Sequence, residues 1–347
     1  MKETSKTQSE IIARHGKRIT VSHRGGMTLR TGTYSLALDP RRASKTDFSF
    51  VSHAHIDHVH NPDGNSKIIA SRETVELAKV RGYNLKGATD NLGGVDLIDA
   101  GHILGSRAIL VEDSVFYTGD FSTRDRAFLK GSPGVKCDTL IMETTYGNPR
   151  YVFTSTDQII SQVNRLIADC FHQCRPVVLT GYPLGKAQLI THLFRNWEPI
   201  YLHESVYKMN EAHLELGVDI PRHEFCETGS KQASLLSKRP WIIISPASSG
   251  RSQFIRSLRE NYGAVIIAFT GWAVDRRYSY MMGVDYAFDL SDHCDFNELV
   301  QLAKYCNPSK IYTVHGFATE FAAHLNFLGF DAAPLEGVEQ STLTSYA

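Results

Sequence analysis

The sequence predicts a two-domain α/β protein in which a doubly wound parallel domain, residues 151–270, is inserted into a first domain made of residues 1–150 and 271–347. Two patterns carry that expectation. Beyond residue 150 a long amphipathic helix is followed by repeated strand–loop–helix units. On either side of that segment, short apolar strands end on histidine, aspartate or glutamate.

Strand signals open the chain: Arg18–Val21, Met27–Thr31 around the Gly25-Gly26 turn, and Ser35–Asp39. Asp39 stands before Pro40 at a strand end, where it suits either a turn cap or a carboxylate that orients a histidine ligand from behind. The apolar run Asp47–Val51 then leads into Ser52-His-Ala-His-Ile-Asp-His-Val-His60. His53 and His55 lie two apart, so on extended backbone they face one side and can converge on one ion. Asp57 and His58 come after a turn at Ile56 and can serve a second. Imidazole and carboxylate without thiolate suit zinc, with manganese as the harder alternative.

Short strands and a helix near Glu73–Val80 lead to the glycine-broken loop holding His102, a fifth candidate ligand. Strand Ser114–Thr118 runs into Gly119-Asp120, which reads either as a plain turn or as a carboxylate able to bridge two ions. Strand Asp138–Met142 ends on Glu143. In the inserted segment Ile159, Ile160, Val163, Leu166, Ile167, Cys170 and Phe171 fall at helical spacing. The loops after strands Val177–Thr180 and Trp241–Ser245 carry Lys186 and Ser248-Ser249-Gly250, groups that suit phosphate oxygens at helix N-termini and equally suit ordinary α/β turns. Strand Val284–Leu290 then runs into His293, and Lys310–Val314 into His315.

Formal charge is zero, with 37 basic and 37 acidic residues, so no overall field draws the chain to a polyanion and contact must rest on a local patch. The six cysteines are scattered and read as buried thiols, Cys170 and Cys174 sharing a helix face. The lack of a membrane-length apolar run and of an apolar leader segment at the N-terminus gives a cytoplasmic location, with no membrane partner, as the expectation.

In chain order, Ser52-His-Ala-His-Ile-Asp-His58, the loop of His102, Tyr-Thr-Gly-Asp120, Glu143-Thr-Thr-Tyr-Gly147, Ser-Asp-His293 and Val-His315-Gly resemble the β-CASP nucleases of the metallo-β-lactamase superfamily. The resemblance runs from Asp39 to His315. The Gly185-Lys-Ala-Gln188 turn, Gly271-Trp272 and Asp289–Asp295 look most like the compact prokaryotic group named ligase-associated DNA exonucleases or messenger RNA 3′-end processing exonucleases. It implies an αββα sandwich with the inserted domain and two zinc ions. His53, His55 and His102 would hold one, Asp57, His58 and His315 the other, and Asp120 would bridge them. It further implies His293 as general acid oriented by Glu143, a nucleic-acid substrate with single-stranded or frayed ends, and DNA ligase or helicase partners. An RNA endonuclease of the 3′-end cleavage type, a thiolester or lactam hydrolase on the same core, and a binding subunit with an inactive site are the competing readings.

Overall fold

In a computed structural model the chain divides into two compact units, and the structure describes residues 8–12, 18–23, 26–62, 66–226, 236, 240–247 and 252–335. The first unit draws on Met1–Asp125, Leu129–Pro149 and His293–Thr342, the second on Arg126–Phe128 and Arg150–Asp292.

Strands are numbered in chain order. In the first unit, one sheet runs β1 (Gln8–Ile12), β2 (Arg18–Ser22), β3 (Met27–Arg30), β4 (Ser35–Leu38), β5 (Phe48–Phe50), β6 (Lys67–Ile69) in spatial order. It begins antiparallel and becomes parallel from β4 onward. The other runs β18 (Ala332–Pro334), β17 (Lys310–Val314), β10 (Thr139–Glu143), β9 (Val115–Tyr117), β8 (Arg107–Val111), β7 (Val95–Asp99). Its strands β9, β10, β17 and β18 are parallel. Side chains alternate across a strand, and here both faces are apolar. Ile109, Val111, Val115, Tyr117, Ile141 and Val314 pack with Leu29, Leu36, Leu38 and Phe50 of the first sheet. Their neighbours Ala108, Leu110, Phe116, Leu140, Met142 and Ile311 pack with residues of helices Phe296–Cys306 and Ala318–Phe327. Two sheets face to face with helices outside are the sandwich that the motifs implied.

The second unit holds one parallel sheet in the order β13 (Glu224–Phe225), β12 (Ile200–Leu202), β14 (Ile242–Pro246), β11 (Val177–Gly181), β15 (Val265–Phe269), β16 (Tyr286–Phe288). The first strand of the unit is central and later strands add on both sides, which is the doubly wound arrangement. Helix Thr156–His172 carries Ile159, Val163, Ile167 and Cys170 into its core, its start capped by Ser155. Cys174 lies beyond the end of that helix and is exposed, so the expectation that all six cysteines are buried fails there.

The chain's return to the first unit also differs from the sequence reading. Val284–Leu290 was expected as a strand of the ligand-bearing domain after a boundary at 271. Instead only Tyr286–Phe288 is strand, and it pairs in parallel with Ile267–Phe269, which keeps the segment up to Asp292 in the second unit. Among the described residues no helix is long and apolar enough to cross a membrane.

One backbone approach places the His102 loop. Gly101 has φ +71, and a Cβ there would lie 2.3 Å from Ser122 O and 2.8 Å from Ser132 N. Gly101→Ala combines an unfavourable left-handed conformation with a backbone clash, so it is expected to destabilise the protein by roughly 2–4 kcal/mol. Thermal denaturation checks this; an unchanged melting temperature would show that the loop can shift freely.

Candidate metal centre

Most of the candidate ligands leave the carboxyl ends of parallel strands in both sheets; His102 instead follows β7, which pairs antiparallel with β8. Asp39 comes directly after β4, and the His53–His58 segment comes after its parallel neighbour β5. Asp120, Glu143 and His315 stand just beyond, or at the end of, β9, β10 and β17, three parallel neighbours. Parallel pairing aligns these ends, so residues far apart in sequence arrive together.

His53, His55, His102 and Asp120 form a group whose ligand atoms all lie within 4.8 Å of one another. His55 Nδ1 is 3.1 Å from both His53 Nε2 and His102 Nε2. Asp120 Oδ2 faces three imidazoles, 3.4 Å from His58 Nε2, 3.6 Å from His53 Nε2 and 3.8 Å from His102 Nε2. Asp57 lies on the outer side, its Oδ2 3.6 Å from His58 Nε2. The His315 ring is 5.7 Å from that of His58, and its Nε2 is buried without a hydrogen bond. A buried polar atom left in that condition is costly unless something else meets it.

Behind these groups stands Asp39, in a left-handed conformation at φ 42. Its Oδ1 accepts from Ser52 N at 2.7 Å, and its Oδ2 from Ser52 Oγ at 2.6 Å, His58 Nδ1 at 2.9 Å and Tyr117 OH at 2.8 Å. Ser52 Oγ in turn meets His53 Nδ1 at 2.9 Å. With Nδ1 engaged from behind, each ring presents Nε2 forward, the arrangement that ligating histidines adopt. The sequence leaves open a turn cap and an orienting carboxylate for Asp39, and its side chain meets Ser52, His58 and Tyr117.

Electrostatics agree with a site built for a cation. Burial, reinforced by the neighbouring His58, holds His53 well below the ordinary imidazole range, so it is neutral and has a lone pair to donate. Burial opposes charge on His58 too, yet the carboxylates of Asp120, Asp57 and Asp39 outweigh it and raise its pKa well above the usual value. Burial likewise opposes the Asp120 carboxylate, and His58 overrides it to hold the acid ionised. A proton on His58 thus balances a local excess of negative charge, the place a metal ion would take with release of that proton. Burial, then the Asp39 carboxylate, keeps the Tyr117 phenol protonated as a donor.

At the edge of the cluster His293 Nδ1 is 2.9 Å from Glu143 Oε1. Glu143 is buried and held in place by Thr145 N, which donates to Oε2 at 2.8 Å. The His293 ring lies 4.5 Å from that of His102 and keeps 17 % of its side chain exposed, so it borders the cluster with a face left to solvent.

Lys186 corrects the sequence reading that placed it on substrate phosphates. Its side chain is 1 % exposed, and Nζ donates to Leu290 O at 2.7 Å and pairs with Asp292 Oδ1 at 3.0 Å. The other expected phosphate contacts, Ser248, Ser249 and Gly250, lie outside the described residues. Ser52 and Tyr117 escaped the sequence reading. Ser52 is flagged only by standing next to His53, and nothing in an apolar strand marks Tyr117 as a donor.

Residues 284–333 match the family model described as the Zn-dependent metallo-hydrolase RNA specificity domain. The chain is 35% identical over 300 residues to a probable DNA ligase of Opitutus terrae, covering 82% of this chain and 28% of that protein. It is 23% identical over 346 residues to an RNase J-like protein of Methanocaldococcus jannaschii, covering 78% and 81% respectively. It is 24% identical over 277 residues to cleavage and polyadenylation specificity factor 73 of Drosophila melanogaster, covering 64% and 40%. The chain therefore spans well under half the length of the first and third of these relatives. The sandwich, with histidines and carboxylates at its strand ends, is that of a metallo-hydrolase. With its inserted doubly wound unit, the chain is similar to the β-CASP group of the metallo-β-lactamase superfamily.

Removing the carboxylate behind the ligands should weaken metal binding without touching a ligand. Asp39→Ala is expected to lower zinc affinity ~10–100-fold, the usual cost of losing such an orienting partner. Competition with a chromophoric chelator measures it, and wild-type affinity in the variant would deny Asp39 that role.

Proposed function

We propose that the protein is a two-zinc phosphodiesterase that trims DNA or RNA ends. The observation that carries this reading is the convergence of three imidazoles on Asp120, with the pair His293–Glu143 reaching the same carboxylate, its ligand atoms also within 4.8 Å of Asp120. One ion would be held by His53, His55 and His102, the other by Asp57, His58 and His315, with Asp120 between them. Such ions, when bound, stabilise charge on phosphoryl oxygens and lower the pKa of water toward neutrality.

The chain's own residues do the rest. Asp39 keeps His58 in register directly and His53 through Ser52. Glu143 accepts the Nδ1 proton of His293, which fixes the ring and leaves Nε2 as the atom that can carry a proton to a departing oxygen. Its partial exposure lets a substrate reach it, whereas Glu143 is sealed from solvent. A proton donor at the edge of such a cluster suits a reaction with a poor leaving group, such as the ribose or deoxyribose oxygen of a nucleic-acid chain. The likeness to a relative named a DNA ligase supports ends destined for joining as substrate and a strand-joining enzyme as partner.

His293→Ala should leave metal content and oligonucleotide affinity intact. Its cleavage of matched DNA and RNA strands labelled at either end is expected to slow ~10²–10⁴-fold, the usual worth of general acid catalysis. Hydrolysis of a p-nitrophenyl phosphodiester, whose leaving group needs no proton, should fall far less. Loss of a metal ion from the variant would instead make His293 a ligand.

Asp120→Ala tests the other half of the site. It should abolish hydrolysis of both substrates while leaving the far-ultraviolet circular dichroism unchanged. Substantial activity in that variant at full metal content would rule out a bridging carboxylate.

A further inference from the structure

We propose that Arg81 and Tyr83, in the turn that follows helix Arg72–Val80, form a nucleotide subsite beside the metal centre, the guanidinium taking a backbone phosphate of the substrate strand and the phenol ring stacking on a base. The proposal rests on the phosphodiesterase reading, and every group in it belongs to the first unit.

The helix is fastened at both ends to segments that carry candidate ligands. At its start Ser71 Oγ and Thr74 Oγ1 both donate to Gly105 O, at 2.6 and 3.0 Å, in the loop that holds His102. Leu77 and Ala78 are fully buried, which fixes the face that the helix turns inward. At its end Gly82, with φ +87, reverses the chain, and Gly82 N donates to Lys79 O and Tyr83 N to Ala78 O, each at 3.0 Å. Just beyond, Leu85 is buried and Asn84 N donates to Asn61 Oδ1 at 3.2 Å. This turn brings Arg81 to the ligand segment: its Nη1 donates to Ala54 O at 3.4 Å, and Ala54 stands between His53 and His55.

A basic side chain at a helix C-terminus serves the helix when it stays over the last carbonyls. Arg81 instead reaches a carbonyl of another segment, and that bond occupies one of its several N–H donors. Among the described residues it has no ion pair, and the Tyr83 ring packs on no other ring. Both side chains are half-exposed, with the exposed Gly82 between them. Burial lowers the Arg81 pKa while Tyr83 and Asp57 act against it, so the guanidinium is within electrostatic reach of the phenol and of a candidate ligand. A guanidinium fork matches two phosphate oxygens, and an aromatic face accepts any base. Side by side at the rim of a site that cuts phosphodiesters, the two groups suit a single strand whose bases are unpaired.

Arg81→Gln keeps a donor for Ala54 O and removes the charge, and Tyr83→Leu keeps apolar bulk and removes the stacking face. In the full-length, zinc-loaded protein each is expected to raise KM for a single-stranded oligonucleotide roughly 10-fold with kcat little changed. Turnover of a p-nitrophenyl phosphodiester, which has no neighbouring nucleotide to hold, should stay near wild type. Fluorescence anisotropy with a labelled oligonucleotide protected by phosphorothioate linkages separates the two roles. Arg81→Gln should reduce the slope of log affinity against log salt by about 0.7, the share of one phosphate contact on a single strand, whereas Tyr83→Leu should weaken binding at an unchanged slope. Arg81→Lys, which keeps the charge, should keep the slope. Equal loss on both substrates, a fall in zinc affinity, or wild-type oligonucleotide KM and salt slope, in whichever variants retain the wild-type melting transition, overturns the proposal. Wild-type protein that cuts neither substrate would instead remove the proposed function, and the two failures are told apart by that control.

Discussion

The carboxylate of Asp39 is the point on which the site depends. Four donors converge on its two oxygens, and they come from a loop backbone, a serine, a histidine and a tyrosine in the facing sheet. Hydrogen bonds to an ionised group contribute on the order of 1.5–3 kcal/mol each. Removing the carboxylate would leave those buried donors without an acceptor and free His58 to rotate. Tyr117 makes the arrangement a property of the sandwich as well as the loop, because its ring belongs to the core between the sheets while its hydroxyl reaches Asp39. Packing and ligand orientation are in this way one constraint.

Strand direction does the remaining work. Parallel neighbours end on the same side of a sheet, so β9, β10 and β17 bring Asp120, Glu143 and His315 together from positions almost two hundred residues apart in the chain. Tight backbone contacts fix the turn after β17. His315 and Gly316 both have positive φ, at 60 and 53, and a Cβ on Gly316 would stand 2.4 Å from Thr145 Cα. Thr144 Oγ1 donates to His315 O at 2.7 Å, closing the turn against the strand that carries Glu143. His315 is thus set by backbone geometry, whereas His58 directly and His53 through Ser52 are held by Asp39.

Much of the site was legible in the sequence because its densest part is local. His53, His55, Asp57 and His58 lie within six residues after an apolar strand, and spacing alone implies convergence. The inserted doubly wound sheet was equally readable from apolar strands alternating with helical patterns. What escaped was decided by non-local pairing. Tyr286–Phe288 adds to the edge of the second sheet through hydrogen bonds to residues 267–269, and no periodicity in the segment reveals which sheet it joins. Lys186 after a strand and glycine looks like a phosphate contact until its stem is seen passing Gly181 into the interior. Tyr117 could not be told from any core tyrosine.

The central claim is that this cluster holds two ions with Asp120 between them. Crystals of the zinc-loaded protein, measured on either side of the zinc absorption edge, test it most directly. The account predicts two anomalous peaks, one among His53, His55 and His102 and one among Asp57, His58 and His315, both in contact with Asp120 and neither on His293. A single peak, or a zinc bound by His293, would contradict it.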